Sequence, residues 1–210
     1  MIFQPETVHT LIIAGWTGRD RAAVERHIVE LEAVGVPRPV SVPVYYRVSA
    51  SRLTCAVSIQ VAGDQSSGEV EFILVRTGGA LWIGTGSDHT DRKVETYNIT
   101  VSKQMCDKPV AAELWPFAEV QDHWDQLMLR SWAISKNKKE LYQEGAISAL
   151  LAPLELAGDR LSDGVVMFGG TLPAIGGIRP AERFEFELED PVRRRSIRHG
   201  YDVHALPMAG

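Results

Sequence analysis

The sequence predicts an α+β fold that is mainly β, with a few helices. The segment Arg183 to Leu188 (RFEFEL) alternates apolar and acidic residues, which is the pattern of a strand wetted on one face. Apolar runs bounded by turn-forming residues, as at Val70 to Val75 and Val165 to Phe168, indicate buried strands. Helical spacing of apolar residues occurs at Arg19 to Val34, where Asp20 can cap the helix.

The remaining elements follow from the same signals. The first helix ends at Gly35, and the proline-rich stretch GVPRPVSVPV is an extended connector. Ser196 to Val203 forms a hairpin with the alternating strand, around the basic run Arg193 to Arg195, which is typical of a solvated turn. Val94 to Cys106 has mixed periodicity. Further strands are predicted at Thr10 to Ala14, Leu53 to Val61, Leu81 to Thr85 and Gln126 to Ile134, and further helices at Ala118 to Leu127 and Ala146 to Leu156.

Length and composition indicate one domain, with residues 1–40 as a strand–helix arm and residues 41–210 as the β-rich body. The formal net charge of -5 and the lack of a basic patch argue against nucleic acid as a partner. We expect no membrane contact, since no apolar stretch approaches the roughly 20 residues of a span and the start lacks a signal-peptide pattern. Cys55 and Cys106 fit reduced thiols in a cytoplasmic protein.

Two glutamates on one predicted strand are the main functional signal. In the stretch GEVEFILV, Glu69 and Glu71 share a face with Ile73 and Val75, because successive strand side chains point to opposite faces. Neighbouring carboxylates on an apolar face repel each other, and a divalent cation between them would remove that repulsion. The alternative is an exposed strand edge with solvated glutamates, which is the usual meaning of an isolated E-x-E pattern.

A third carboxylate follows the next predicted strand. Asp88, in GSDHTDR, could supply a third oxygen ligand, although an aspartate near glycine is also common turn chemistry. Three carboxylates with water suit hard cations, with Mg²⁺ first and Mn²⁺ or Ca²⁺ as alternatives, rather than zinc. Alternation points the neighbouring His89 away from Asp88, so we do not expect His89 to be a ligand.

A candidate general base lies on the first helix. His27 and Glu30 are three residues apart, so their side chains are neighbours on one helix face. A carboxylate beside an imidazole orients the ring and raises its basicity, as a general base requires. Spacing by itself more often means an ordinary surface pair on the flank of the helix.

Candidate substrate contacts are two cations and one loop. Arg92 and Lys103 follow the acidic residues closely, and either could hold a substrate carboxylate, although each alone is more often a surface residue. The loop at residues 169–177 (GGTLPAIGG) could let backbone amides approach an anion, but it lacks the GKS/T ending of a P-loop. The alternative is a plain glycine-rich loop between strands.

Taken in order, these segments resemble the fumarylacetoacetate hydrolase family, over about residues 11–205. In more detail the chain is similar to a short bacterial subgroup carried as a domain of unknown function (DUF2848-like). No single motif is specific, but the ordered set is. The matching segments are H-x-x-E at His27–Glu30, E-x-E at Glu69–Glu71, D-x-T-x-R at Asp88–Arg92, a lysine at Lys103, Q-x-G at Gln143–Gly145 and a glycine-rich segment at Asp163–Gly176.

The resemblance implies a mixed β-roll or sandwich of the fumarylacetoacetase C-terminal-like type with a few peripheral helices, and a homodimer. The chain departs from the family at Leu172, which separates Thr171 from Pro173 where the family has threonine and proline adjacent. The implied site residues are Glu69, Glu71 and Asp88 for the metal, His27 and Glu30 for catalysis, and Arg92, Lys103, Gln143, Gly170 and Thr171 for the substrate.

The function expected from the resemblance is a divalent-metal-dependent hydrolase. It would cleave a carbon–carbon bond in a small 1,3-dicarbonyl or 2-oxo acid through a metal-bound enolate. A decarboxylase, hydratase or isomerase could use the same residues. An alternative of another class is a non-catalytic β-rich binding module whose metal site is lost or structural.

Overall fold

The structure is a computed structural model that describes residues 1–33 and 38–209, without the side chains of His27 and Leu31. The helices are Arg21–Ala33 (α1), Arg92–Glu95 (α2), Ile99–Met105 (α3) and Pro153–Ala157 (α4), with 3-10 turns at Pro5–Thr7, Ala50–Arg52, Phe117–Glu119, Gln121–Gln126, Ile147–Ala149 and Gly158–Arg160. The strands are Thr10–Gly15 (β1), Val44–Val48 (β2), Leu53–Thr54 (β3), Ser58–Ala62 (β4), Ser66–Ser67 (β5), Val70–Thr77 (β6), Ala80–Ser87 (β7), Thr90–Asp91 (β8), Lys108–Pro109 (β9), Trp115–Pro116 (β10), Met128–Ser135 (β11), Lys138–Ala146 (β12), Val165–Thr171 (β13), Arg183–Asp190 (β14) and Arg195–Leu206 (β15).

Two mixed sheets form the body. The six-stranded sheet has the order β10-β7-β6-β13-β1-β2, and the five-stranded sheet has the order β12-β11-β14-β15-β4. Each sheet contains one parallel pair, β1 with β13 and β15 with β4, among antiparallel neighbours. Two short pairs, β3 with β9 and β5 with β8, lie outside these sheets. The α+β fold that is mainly β is therefore confirmed.

Both faces of the six-stranded sheet are buried. Phe72 and Leu74 of β6 belong to the larger core cluster, together with Leu129 from the five-stranded sheet. Ile73 and Val75, on the opposite face of β6, belong to a second cluster. A strand covered on both sides favours apolar residues on both faces, which explains the run FILV after Glu71. It also means that an acid within this strand is buried.

The strand predictions hold with some changes of extent. The segment predicted as one strand at Leu53 to Val61 is two strands, because the Thr54 hydroxyl accepts a hydrogen bond from Ala56 N at 3.0 Å and turns the chain. The strand Lys138–Ala146 was not predicted. It lies at the edge of its sheet, where the sequence KKELYQEGA lacks a clear alternation of apolar and polar residues.

The helix predictions are less accurate. The predicted helix at Ala146 to Leu156 is wrong: a 3-10 turn and the short α4 flank an extended stretch. Ala152 precedes a proline, which disfavours helical backbone there, and Leu151 N donates to Thr17 O instead. Ala118 to Leu127 forms two 3-10 turns rather than a regular helix, and the segment of mixed periodicity contains α2 and α3.

The first helix is confirmed at Arg21–Ala33, within the predicted span. The Asp20 carboxylate accepts a hydrogen bond from Ala23 N at 3.0 Å, as expected of a cap. The predicted end at Gly35 and the start of the proline-rich connector lie outside the described residues. Among the residues that the structure does describe, no helix is long and apolar enough to cross a membrane.

Candidate metal centre and adjoining cavity

The hairpin of β6 and β7 brings the three predicted metal ligands together. Glu71 lies in β6, while Glu69 stands just before this strand and Asp88 just after β7. The ladder pairs Val70 with Ser87, and it is prolonged by a hydrogen bond of 2.9 Å from Asp88 N to Glu69 O. The three carboxylates thus meet at the open end of the hairpin, with oxygen atoms within 4.8 Å of one another.

A backbone irregularity holds the middle carboxylate. The register of β13 against β6 shifts between Phe168 and Thr171, which frees the Gly170 amide from the regular ladder. This amide donates to Glu71 Oε2 at 2.6 Å. The Glu71 side chain is only 2% exposed, and burial, followed by the charge of nearby Asp88, raises its pKa well above the ordinary value. The metal-free Glu71 carboxyl therefore loses its proton at a higher pH than an ordinary glutamate.

Three cations surround the carboxylates. Arg92 lies 3.2 Å from Glu69, Lys103 is hydrogen-bonded to Asp88 Oδ2, and Lys108 Nζ is 3.3 Å from Asp88 Oδ1. From the sequence, a divalent cation was the one source of charge considered to offset the repulsion between these acids. The fold adds a second source, because it places these cations beside Glu69 and Asp88. Lys103 and Lys108 lower the pKa of Asp88 against the effect of its burial.

Lys108 is a part of this cluster that the sequence did not reveal. Its side chain is fully buried, and Nζ donates to the carbonyl oxygens of His89 and Lys103, each at 2.5 Å, and of Cys106 at 3.1 Å. Burial lowers the pKa of this ammonium group, against the attraction of Asp88. No local pattern distinguishes this lysine from a surface lysine, because its partners come from separate segments.

The donor set fits a hard divalent cation. Asp88 Oδ1 is completely buried and accepts no hydrogen bond among the described residues, and its one nearby charge there is the Lys108 ammonium at 3.3 Å. No cation among those residues lies within ion-pair distance of Glu71, whose one hydrogen bond there comes from the Gly170 amide. A buried carboxylate oxygen without a donor is costly unless a cation satisfies it. Three carboxylates grouped in this way offer the all-oxygen ligands that Mg²⁺, Mn²⁺ and Ca²⁺ prefer.

A cavity of about 320 Å³ adjoins the carboxylates. Its polar lining includes Glu69, Glu71 and Lys103 from the acidic cluster. The loop that leads into α1 forms another part of the wall, and neither this loop nor the segment at Ala149 and Leu150 was predicted to be near the site. The cavity is lined by Ala14, Gly15, Trp16, Thr17, Gly18, Glu69, Glu71, Lys103, Ala149, Leu150, Gly170, Thr171, Leu172 and Pro173.

The predicted substrate contacts on the glycine loop are engaged with the protein. The Gly170 amide is bonded to Glu71, and the Thr171 hydroxyl donates its one proton to Val70 O at 2.8 Å. Gln143 Nε2 donates to Thr171 Oγ1 at 2.7 Å and to Leu172 O at 2.6 Å. Gln143 Oε1 accepts from Val70 N and Ser131 Oγ, each at 2.9 Å. Gln143 thus joins β12 to β6 and to the loop.

The two predicted substrate cations differ in position. Lys103 lines the cavity and also contacts Asp88, so its ammonium group lies between the acidic cluster and the open space. Arg92 lies outside the cavity lining and is bound to Glu69, to Glu95 at 2.9 Å and to Ser67 Oγ at 2.7 Å. Lys103 is therefore placed to meet a ligand directly, and Arg92 to hold Glu69.

The predicted catalytic pair lies on α1. The helix follows the loop that lines the cavity, and Glu30 is exposed on it. The His27 side chain lies outside the described residues, so the role predicted for His27 and Glu30 stays a prediction. Gly18, at the end of the cavity loop, packs closely on Val24, since an added Cβ there would lie 2.7 Å from the valine side chain. The start of α1 is thereby fixed to the cavity wall.

The His89 ring is bound away from the candidate metal ligands, as expected. Its ring nitrogens are hydrogen-bonded to Tyr201 OH at 2.9 Å and to Ser66 Oγ at 2.8 Å. Tyr201 OH also bonds Ser87 Oγ at 2.8 Å. Burial, with the charge of Lys108, lowers the pKa of His89 to about 3, so the ring is neutral. This network joins β15 of one sheet to the end of the hairpin in the other.

One family matches most of the chain. The family described as "Protein of unknown function (DUF2848)" matches residues 14–201, which include every residue predicted for the site. A search of curated proteins gave no match.

Solved structures share the fold at low sequence identity. The yeast protein ynq8, described as a fumarylacetoacetate hydrolase family protein, has a TM-score of 0.67 at 16% identity, covering 96% of this chain and 95% of that one. A 2-keto-3-deoxy-D-arabinonate dehydratase complexed with magnesium and 2,5-dioxopentanoate has a TM-score of 0.62 at 14% identity, covering 96% and 74%. A 4-oxalocrotonate decarboxylase from Pseudomonas putida G7, complexed with calcium and acetate, has a TM-score of 0.59 at 13% identity, covering 93% and 76%. The fold is therefore the fumarylacetoacetase-like one that the resemblance implied.

Proposed function

The chain belongs to the family described as "Protein of unknown function (DUF2848)", and we propose that it is a divalent-metal-dependent enzyme acting on a small oxo-acid. The observation that carries the proposal is the meeting of Glu69, Glu71 and Asp88 beside a cavity that Lys103 also lines. Buried carboxylates grouped in this way would hold a hard cation, and the ligand-sized cavity next to them would hold the substrate.

A divalent cation held by these carboxylates would polarise two oxygens of a chelating oxo-acid and withdraw electrons from the carbon atoms between them. The chain's own residues orient the substrate. Lys103 offers its ammonium group to the substrate carboxylate, and Asp88 keeps that group in place. Asp88, with Glu69 and Glu71 as further causes, raises the pKa of Lys103, so the lysine stays charged at neutral pH.

His27 is the proton acceptor in this proposal. Oriented by Glu30, it takes a proton from the water that attacks the substrate carbonyl, and it returns a proton to the carbon after the carbon–carbon bond breaks. A 2,4-dioxo monoacid, which is a 1,3-dicarbonyl compound, would give a carboxylate and a 2-oxo acid with the uptake of one water. We also propose that the protein is a homodimer, which is the oligomeric state that the resemblance implies.

A lyase using the same residues is the second candidate. Two solved structures with this fold are named as a dehydratase and a decarboxylase. Decarboxylation, dehydration and hydrolytic cleavage all need the same electron withdrawal next to a carbonyl group, so the products distinguish them. Proton NMR of a 2,4-dioxo monoacid and of a 3-carboxylated 2-oxo acid, each incubated with Mg²⁺ and protein, would show which bond breaks.

Calorimetry tests the metal site directly. We expect Mg²⁺ or Mn²⁺ to bind one site per chain, and Glu71→Ala to weaken binding at least about 100-fold, since it removes one of three charged ligands. Glu6→Ala is the matched control, because Glu6 is exposed and remote from the site. Equal affinity of the Glu71→Ala variant and the wild type would refute the ligand assignment. If the protein binds the metal but neither binds nor converts any oxo-acid, the non-catalytic binding module is favoured.

A further inference from the structure

Apart from the acidic cluster and Lys103, the residues that line the cavity are mostly apolar. The residues that line it with apolar side chains are Ala14, Trp16, Ala149, Leu150, Leu172 and Pro173. Among the described lining residues, Lys103 is the one cation, and it already contacts Asp88. Two threonines, Thr17 and Thr171, complete the polar part of the lining. A ligand that fills the space beyond the carboxylates therefore meets mostly carbon.

This apolar wall is firmly held. Leu172 is 5% exposed, and it packs on Gly145 so closely that an added Cβ would lie 3.0 Å from Leu172 Cδ1. Its carbonyl oxygen accepts from Gln143 Nε2 at 2.6 Å. Leu150 is 3% exposed, and the neighbouring Leu151 N donates to Thr17 O at 2.8 Å. A wall fixed by such contacts cannot readily turn a polar group towards the ligand.

Trp16 adds an aromatic surface in an unusual backbone conformation. Its φ is +58°, in the left-handed region that a bulky side chain seldom adopts. Strain of this kind persists where surrounding contacts enforce it, and it is concentrated at ligand sites. The neighbouring Thr17 is also fixed, because its hydroxyl packs against Gly170 so closely that an added Cβ at Gly170 would clash with it. The loop thus holds Trp16 at the cavity wall in a defined backbone conformation.

We propose that this cavity selects oxo-acids whose end remote from the chelating oxygens is uncharged and apolar, with that end packed against Trp16, Leu150 and Leu172. The proposal rests on the proposed function, because Glu69, Glu71 and Lys103 must first hold the oxo-acid head. A second carboxylate on the substrate would lie against carbon, because Lys103 is engaged with Asp88 and the substrate head and no other cation occurs among the described lining residues. Burial of an unpaired charge is strongly unfavourable. The cavity of about 320 Å³ is at the lower end for ligand sites, which suits a short tail.

Two ligands of equal carbon number test the proposal. 2-Oxopentanoate and 2-oxoglutarate differ only in that a methyl group replaces the terminal carboxylate. In calorimetric titrations of the Mn²⁺-loaded wild-type protein, we expect 2-oxopentanoate to bind at least about 10-fold more tightly than 2-oxoglutarate. Equal affinity, or tighter binding of 2-oxoglutarate, would overturn the proposal.

Oxalate separates a failure of this proposal from a failure of the proposed function, because oxalate has the chelating head and no tail. Oxalate binding that requires Mn²⁺, together with no preference between the two tailed ligands, would overturn the tail selection alone. If neither oxalate nor the tailed ligands bind in the presence of Mn²⁺, the metal-dependent oxo-acid site and the tail selection both fall.

A variant on the exposed part of the wall provides a second test. Ala149 lines the cavity and is exposed, so a longer side chain can be added there without disturbing the core. Ala149→Arg supplies the missing cation and should reduce the preference for 2-oxopentanoate at least about fivefold. Ala149→Met, of comparable length and without charge, should keep the wild-type preference. The proposal would be contradicted if both variants lost the preference for 2-oxopentanoate to the same extent, or if Ala149→Arg kept it.

Discussion

The amide of Gly170 donates to Glu71 Oε2 at 2.6 Å, so a backbone group of one strand fixes a candidate metal ligand on the next. This geometry requires glycine, because φ is +96° and a Cβ at this position would lie 1.8 Å from Thr17 Oγ1. The cavity loop, the glycine segment and the acidic cluster therefore depend on one another.

We predict that Gly170→Ala destabilises the protein by more than about 3 kcal/mol and weakens Mn²⁺ binding, because Thr17 or the glycine segment must move. Urea unfolding and calorimetry would measure the two effects. Gly177→Ala is the matched control, since φ is +87° there but an added Cβ would meet nothing within 4 Å. It should cost only about 1–2 kcal/mol and leave Mn²⁺ affinity unchanged. Equal losses in the two variants would show that close packing at Gly170 is unimportant.

The affinity for divalent cations should rise with pH. Burial and the charge of Asp88 raise the pKa of Glu71, and a metal ion binds only the ionised carboxylate. Binding must therefore displace a proton wherever the pH lies below that raised pKa. Titrations of Mn²⁺ in two buffers of different ionisation enthalpy would measure the protons released. We expect proton release at pH values above the ordinary glutamate range, which Glu71→Gln should abolish, and an affinity independent of pH would contradict the proton assignment.

The stability of the metal-free protein should depend on pH through the same group. Because the pKa of Glu71 is raised in the folded state, its stabilising effect is complete below the unfolded-state pKa of about 4.3 and is lost as pH rises through the folded-state pKa. Glu71→Gln keeps an oxygen for the Gly170 amide but cannot ionise. We expect the metal-free variant to be more stable than the wild type at alkaline pH, and thermal unfolding in EDTA would measure this difference.

The control for this experiment is the effect of Mn²⁺. The metal should stabilise the wild type and not the Glu71→Gln variant, because binding to the folded state alone raises the free energy of unfolding. Two results would argue against a buried Glu71 with a raised pKa. One is a wild type that is less stable than Glu71→Gln in the presence of Mn²⁺. The other is equal stability of the two proteins in EDTA at alkaline pH.

Replacing Gln143 should lower the free energy of unfolding by more than the loss of any single one of its hydrogen bonds would. Its replacement by leucine would leave the amide of Val70 and the carbonyl of Leu172 without their buried partner. Each unsatisfied group costs roughly 1–3 kcal/mol, so Gln143→Leu should lower the free energy of unfolding by about 2–5 kcal/mol. Ser131→Ala removes a single bond to the same oxygen and should cost about 1 kcal/mol. Comparable losses in urea unfolding would contradict the joining role of Gln143.

His27 should control the pH dependence of turnover. If it is the proton acceptor, the rate should rise with pH around a midpoint near the ordinary histidine value of about 6.5, since the neutral ring accepts the proton. His27→Ala should lose this rise and at least about 100-fold in kcat. His204→Ala, at an exposed position, should keep the wild-type profile. A profile that is flat across the histidine range in the wild type would exclude His27 from this role.

The sequence alone determined the position of the acidic cluster along the chain. Side-chain alternation placed Glu69 and Glu71 on one strand face, and the short turn after the strand meant that Asp88 returned beside them. Such patterns are local, because a strand and a tight hairpin are set by neighbouring residues. The confirmed first helix and the hairpin of β14 and β15 follow from the same kind of signal.

Tertiary structure alone decided how the cluster is compensated and what stands next to it. Lys108, the Gly170 amide and the cavity wall at Leu150 reach the site from segments far apart in sequence, through strand pairing and a register shift that no local pattern specifies. The wrongly predicted helix at Ala146 to Leu156 has the same cause, since bonding of Leu151 to Thr17 outweighs local helical spacing. Local periodicity specifies which face of an element is buried, whereas long-range contacts specify which groups meet on that face.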